Sequence, residues 1–200
     1  TFQSVFAQTY DRIQYIVIDG GSTDSTLQSV DKFRSRLSVI VSEPDEGISD
    51  AFNKGIALAT GDYVQLLNAD DDMPPEKIAR SVQLLQQNPD AGFVFGDIIL
   101  VDGEGVPLLR VDGDPHYEQV VRRSMPRVNH PTFLVRREVY RQCGGFDSRW
   151  RIGMDYDWLL RANAAGVKGV HSPDVQVNMQ IGGASQEHPV QTMNEERQIS

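Results

Sequence analysis

Three places in the sequence put carboxylates where they could do chemistry. Asp19 closes an apolar run, Tyr15-Ile16-Val17-Ile18-Asp19, and Gly20-Gly21-Ser22-Thr23-Asp24 follow at once. A carboxylate there can accept the N–H of a base or the hydroxyls of a ribose, and the glycines let a ligand approach the backbone. Asp70-Asp71-Asp72 follow a second apolar run, residues 63–67, through Asn68 and Ala69. Adjacent aspartates repel one another unless a cation or solvent offsets the charge. Mg²⁺ or Mn²⁺ suits such oxygen donors and needs only one or two protein carboxylates when substrate phosphates complete its shell. Taken alone, the triplet reads equally as a helix-capping loop. The strand just upstream favours the ion, because it pins these side chains at one edge. Asp155, in Gly153-Met154-Asp155-Tyr156-Asp157-Trp158, opens a predicted helix, where capping alone accounts for it.

These residues need a scaffold, and the hydrophobic pattern supplies one. Residues 1–7 read as helical. Residues 14–19 form a buried strand ended by Gly20-Gly21, and Ser22, Thr23 and Asp24 offer caps to a helix with Leu27, Val30, Phe33 and Leu37 in phase. Strands are expected at 37–41, 63–67 and 93–101, and helices at 50–59 and from Pro74-Pro75 through Leu85. Gly103 and Gly105 turn the last strand into a hairpin with 108–111. The second half is looser: a strand at 132–135, a helix at 156–165, and extended segments at 168–171 and 175–179. Strand and helix alternate to about residue 97, the pattern of an α/β fold with a mostly parallel sheet flanked by helices. In such sheets ligands bind at the carboxyl ends of the strands, so both acidic tips face the same edge.

The 200 residues suit one domain with a sizeable core, and a 40% hydrophobic, 24% charged composition is that of a globular chain. A net charge of −9 argues against non-specific nucleic-acid binding. Arginines nonetheless crowd the stretch from Arg122 to Arg161, where they either meet phosphates and lipid headgroups or balance nearby acids. The single cysteine, Cys143, allows no intrachain disulfide and no cysteine-rich zinc site; beside Gly144-Gly145 it reads as a packing residue. The lone cysteine fits a reducing cytosol, and no apolar run reaches the length of a membrane span, so any membrane association is expected to be peripheral or to lie outside this chain.

In order, Gln8-Thr9-Tyr10, Ile18-Asp19-Gly20-Gly21-Ser22-Thr23-Asp24-Ser25-Thr26, Asp45-Glu46-Gly47-Ile48-Ser49-Asp50-Ala51-Phe52-Asn53-Lys54-Gly55, Ala59-Thr60-Gly61-Asp62 and Leu67-Asn68-Ala69-Asp70-Asp71 form a recognisable series. His130-Pro131-Thr132-Phe133, Gly144-Gly145-Phe146-Asp147 and Asp155-Tyr156-Asp157-Trp158-Leu159-Leu160-Arg161 extend it. The set resembles family 2 of the nucleotide-sugar glycosyltransferases, which have the GT-A fold, over nearly the whole chain. The resemblance implies a nucleotide-binding part at about 1–101 and an acceptor-side part at about 102–200. Asp19, Gly21, Ser22, Lys54, Asn68 and Asp70 would then meet the nucleotide sugar, a UDP-sugar being the commonest donor. Asp70 and Asp71 would hold Mg²⁺ or Mn²⁺, and Asp155 would be the catalytic base. Met154 stands where the family usually has glutamate, and Asn68 replaces the first aspartate of its Asp-x-Asp motif. The family's first apolar strand would precede Thr1 and is absent from these residues.

The implied reaction is a single displacement with inversion, passing a sugar to the hydroxyl of a saccharide or lipid-linked acceptor in polysaccharide or glycolipid synthesis. His130 reads as a loop hydrogen-bonder or a positioning residue, and Trp158 as core or an acceptor platform. Gly182-Gly183 and Ser185 read as a flexible loop over the site. An aspartyl-phosphate phosphohydrolase would want an aspartate two residues after Asp19, where Gly21 stands. A dinucleotide oxidoreductase would want Gly-x-Gly-x-x-Gly, which is missing. The alternative that survives is a non-catalytic nucleotide-sugar-binding subunit.

Overall fold

The computed structural model describes residues 1–182 and 188–200. The loop expected from Gly183 and Ser185 therefore falls outside the described residues. β1 (Ile16–Asp19) and β2 (Val39–Ser42) pair in parallel as a two-stranded sheet. Between them runs α2 (Thr26–Asp31), after the short α1 (Phe2–Phe6). Asp24 accepts the Thr26 N–H at 2.9 Å and so helps start α2. The helix ends at Asp31, short of the apolar phase that runs to Leu37. Phe33 leaves it to pack on Phe2 and Phe6, with ring centroids 4.8 and 5.6 Å away. The chain then continues as a 3-10 turn at Arg34–Arg36, so the helical phase breaks at the aromatic contact and does not run on as one helix.

The second sheet holds β3 (Tyr63–Gln65), β4 (Ala91–Val101), β5 (Pro107–Val111), β6 (Leu134–Arg136) and β7 (Lys168–Gln180). β6 lies antiparallel between β3 and β4, so β3 and β4 run in the same direction. β7 pairs with β4 in parallel, and β5 closes the expected hairpin. The α/β class holds, with pairings more mixed than alternation to residue 97 indicates. Alternation orders the first strands; it says nothing of a later strand inserted among them.

α3 (Ile48–Leu58) packs on β1, and α4 (Lys77–Gln87) packs on β4 and β7. α5 (Arg137–Cys143) follows β6 directly, and α6 (Met154–Ala164) and α7 (Pro189–Ile199) complete the described helices. β4 is buried over most of its length, which explains its near-continuous apolar run. Phe93, Phe95, Tyr117 and Phe133 stack around it with Trp158. Trp158 is fully buried and donates to the Gly144 carbonyl at 3.2 Å, so it is core and not an acceptor platform. Some arginines of the crowded stretch are staples: Arg136 donates to the carbonyls of Ala91 and Leu85 at 2.8 and 2.7 Å.

Lys77 is a buried cation that donates to the Gln65 side-chain carbonyl. Burial pushes its pKa down to about 7 from 10.5. The unfolded chain therefore binds the extra proton between about pH 7 and 10.5, and in that window stability rises with pH. Below about pH 7 the cost is complete. Lys77→Met should accordingly gain on the wild type most at neutral pH, and the gain should shrink toward pH 10. Urea midpoints at pH 7 and 9.5 check this; a pH-independent difference would contradict it.

Candidate functional site

Asp19 sits at the carboxyl end of β1, buried beneath the turn that follows. Its Oδ2 accepts from the Ser42 hydroxyl at 2.7 Å, the Ser22 N–H at 3.1 Å and the Gly21 N–H at 3.3 Å. Its pKa is held down chiefly by the Ser22 hydroxyl and also by Ser42 and these amides, against the opposing effect of burial. It is a fixed carboxylate whose Oδ1 takes none of those three bonds. Gly21 adopts φ +84, and a Cβ there would lie 3.2 Å from the Pro44 nitrogen. The turn thus needs glycine on both counts. Lys54, from α3, pairs with Glu43 at 3.0 Å and Asp50 at 3.2 Å, and donates to the Pro44 carbonyl at 3.2 Å. It braces the loop that covers Gly21, and these carboxylates, Glu43 first, raise its pKa.

The acidic loop follows β3. Asp71 is almost fully buried: Asn68 Nδ2 donates to its Oδ2 at 3.0 Å, and the Gln180 N–H reaches its Oδ1 at 3.3 Å. Desolvation first, then Asp70, and more weakly Asp72, push its pKa up to about 6, against the hydrogen bonds from Asn68 and Gln180. Asp72 pairs with Asn178 through two backbone bonds of 3.0 and 2.9 Å and a side-chain bond of 2.7 Å. The loop is therefore stitched to the carboxyl end of β7, which the sequence pattern does not reveal. Asp70 is exposed. Among the described residues no group of three His, Cys, Asp or Glu side chains is poised to hold a metal. An open Asp70 beside a crowded Asp71 nonetheless fits a hard cation that takes one or two carboxylates and completes its shell with phosphate oxygens. A cation would also relieve the repulsion that raises Asp71.

Asp155 occupies the first turn of α6, half-buried, with its Oδ1 accepting the Tyr156 N–H at 2.8 Å. Desolvation raises its pKa to about 6, and Glu196 adds a smaller push in the same direction. Met154 is a buried core residue, so the position before Asp155 is given to packing. Asp157 pairs with Arg161 at 2.9 Å, and Arg161 also donates to the Cys143 and Gly145 carbonyls.

α3 joins these regions. Asn53 Nδ2 donates to the Phe146 carbonyl and its Oδ1 accepts the Phe146 N–H, both at 2.8 Å, while Ser49 Oγ donates to the Trp150 carbonyl at 3.4 Å. Beside Asn53 lies an open cavity of about 430 Å³ lined by Ile56, Phe146, Asp147 and Arg161 among others. Asn53→Ala orphans two backbone groups and should destabilise the fold by about 2–3 kcal/mol, read from the denaturation midpoint. Asp19, Gly21, Ser22 and Lys54 thus share one loop cluster, and Asn68, Asp70 and Asp71 share another. Among the described residues no hydrogen bond or ion pair joins Asp155 directly to Asp19 or Asp70.

His130 departs from the loop hydrogen-bonder expected. The short 3-10 turn at His130–Thr132 points the ring inward, 5.3 to 5.6 Å from Phe52, Phe133 and Phe146. Its Nε2 meets no hydrogen-bond partner among the described residues, and burial pushes its pKa down to about 4, so it is neutral at pH 7. Glu195, a buried carboxylate on α7, had no sequence signal; it contacts the backbone that opens α6.

With acidic loops after β1 of the two-stranded sheet and β3 of the mixed five-stranded sheet, both flanked by helices, the chain has the GT-A nucleotide-sugar transferase fold. Residues 1–144 match Glycosyl transferase family 2, and the chain belongs to that family. It is 28% identical over 162 residues to a PGL/p-HBAD biosynthesis glycosyltransferase of Mycobacterium bovis, covering 79% of this chain and 61% of the relative. It is 31% identical over 168 residues to an uncharacterized glycosyltransferase of Mycobacterium tuberculosis, covering 81% and 62%. The chain thus spans about three fifths of the length of these relatives. In fold it is similar to S. aureus TarS 1-349 in complex with UDP-GlcNAc, with a TM-score of 0.69, 15% identity, and 92% and 54% of the two chains covered. It is equally similar to mannosyltransferase PcManGT from Pyrobaculum calidifontis in complex with GDP-Man and Mn²⁺, with a TM-score of 0.69, 21% identity, and 98% and 59% covered.

Proposed function

We propose that this chain carries the catalytic centre of an inverting, metal-dependent glycosyltransferase using a nucleoside-diphosphate sugar. The observation that carries the reading is Asp155, a carboxylate fixed in the first turn of α6 and desolvated enough to sit at about 6. Such a group is ionised at neutral pH yet basic enough to take a proton. It would remove the proton from an acceptor hydroxyl as that oxygen bonds to the anomeric carbon and the bond to the leaving diphosphate breaks. A single displacement of this kind, with Asp155 as the base, inverts the anomeric centre. Asp19 would accept from the nucleotide base, over the Gly21–Ser22 turn. Lys54 would act mainly by bracing that turn. Asp70, with Asp71, would hold Mg²⁺ or Mn²⁺ beside the diphosphate, with Asn68 orienting Asp71. A bound divalent ion offsets the charge that develops on the leaving group.

The nucleotides named for TarS and PcManGT support a UDP- or GDP-linked donor, and the Mn²⁺ of the latter supports the ion. A relative is named for PGL/p-HBAD biosynthesis, and the acceptor proposed for this chain is the hydroxyl of a glycolipid or polysaccharide. A lipid-linked acceptor would be met peripherally at the cytoplasmic membrane face. In this reading 1–101 serve the nucleotide and 102–200 the acceptor. The test is a screen of nucleotide sugars for Mn²⁺-dependent binding and hydrolysis. One or more donors should show both. Binding without turnover would favour a non-catalytic sugar-nucleotide-binding subunit, and the absence of binding would remove both readings.

A further inference from the structure

Glu195 is only 8% exposed, yet its carboxylate is fully employed. It accepts the N–H groups of Ile152 and Gly153 at 2.9 Å each, that of Arg151 at 3.4 Å, and Gln191 Nε2 at 2.8 Å. Gly153 is the N-cap of α6, so its amide is among those left without a partner at the helix start, and the Ile152 amide lies just before it. Gly153 has no side chain with which to cap the turn. A buried negative charge from another helix performs that capping, at the end of the dipole that favours it. The fit is close, since a Cβ on Gly153 would stand 2.9 Å from Ile199 Cδ1 and 3.6 Å from Glu195 Oε2. The core holds α6 through Trp158 and Leu159 and reaches its first turn through Met154 and Tyr156; Glu195 adds the grip on the backbone that leads into that turn.

We propose that Glu195 is a positioning residue for Asp155: by gripping the Ile152 and Gly153 amides it fixes the turn that aims the Asp155 carboxylate. The inference rests on Asp155 being the base. α7 thereby becomes part of the catalytic apparatus without touching substrate, while the neighbouring Glu196 acts on Asp155 only through its charge.

Three variants test it: Glu195→Ala, Glu195→Gln and Glu195→Asp. Glu195→Ala should lower kcat about 10- to 100-fold with donor KM within about twofold, because the aim of the base changes and the nucleotide contacts do not. Glu195→Gln keeps an accepting oxygen and should recover most of that loss. Glu195→Asp draws the carboxylate back from the Ile152 and Gly153 amides by one methylene and should move kcat in the same direction, which serves if Glu195→Ala does not fold. A second readout needs no turnover: the ¹³C titration of the Asp155 carboxyl should shift in Glu195→Ala and much less in Glu195→Gln. Wild-type kcat with an unmoved Asp155 titration would overturn the proposal, as would equal losses of kcat and nucleotide binding in Glu195→Ala and Glu195→Gln alike. If the wild type transfers no sugar at all, the functional reading fails, and the titration alone decides the role of Glu195.

Discussion

Asp155→Asn should lower sugar transfer by about 10²–10⁴-fold while leaving Mn²⁺-dependent nucleotide binding within about twofold. Asparagine keeps the size and can still accept the Tyr156 N–H, so the first turn of α6 remains in place. What it loses is the capacity to take a proton. The same change should stabilise the fold. With a folded pKa of about 6 against the usual 3.8, Asp155 binds its proton more tightly when folded than when unfolded. Stability attributable to this group is therefore present below about pH 3.8 and lost as pH rises through 6. At pH 7 the ionised carboxylate is a liability that the amide removes, on the order of 1–3 kcal/mol. An inactive variant with a raised denaturation midpoint is the expected pair of results. Wild-type kcat would remove Asp155 as base, and a lowered midpoint would contradict the desolvation account. The acid limb of the wild-type kcat/KM profile should likewise fall near pH 6, with activity rising as pH increases through it.

Asp70→Ala and Asp71→Ala should each abolish the Mn²⁺ dependence of nucleotide binding, a loss of about tenfold or more in affinity at saturating metal. The two should differ in their effect on the fold. Asp70 is exposed and its removal should leave the midpoint nearly unchanged, whereas Asp71→Ala strips the partner from Asn68 and the Gln180 amide. Because Asp71 titrates near 6, protons compete with the ion there, and metal-dependent affinity in the wild type should weaken as pH falls below about 6. Calorimetric titration of nucleotide with and without Mn²⁺ checks both statements. Equal affinity in either condition for the wild type would refute the ion site.

Asp71, Lys77 and Asp155 share a physical trait: each is held in surroundings that disfavour its charged form. Two of the three lie in the proposed site, where a perturbed carboxylate has a use. Lys77 has no assigned use, and its cost is structural.

Much of the scaffold could be read directly from residue patterns. The end of β1 was legible because its apolar run stops at Asp19 with Gly20-Gly21 beyond; β3 was legible as an apolar run but ends at Gln65, two residues before that run does. α3, α4 and α6 declared themselves by helical spacing, and the β4–β5 hairpin by Gly103 and Gly105. β7 was read as two segments because Pro173 and Asp174 interrupt its apolar pattern; it is one strand whose pairing with β4 shifts register beside them. α7 escaped notice because its buried residue is Glu195, while Val190 and Met193 face solvent. A carboxylate turned inward to cap another helix leaves no periodic signal. The aspartates of the candidate site were legible as residue types, but not their partners. The Ser42 bond to Asp19, the grip of β7 on Asp71 and Asp72, and the Glu195 cap all join positions far apart in sequence. Only the folded chain brings them together.

The most direct test of the account is a crystal structure of the protein with Mn²⁺ and a non-hydrolysable nucleotide sugar. The base should lie against Asp19, the ion between Asp70 and the diphosphate, and the anomeric carbon should present to Asp155 the face opposite its leaving group. A donor bound with Asp155 on the remote side of the molecule, or with its leaving group turned toward Asp155, would contradict the proposed reaction.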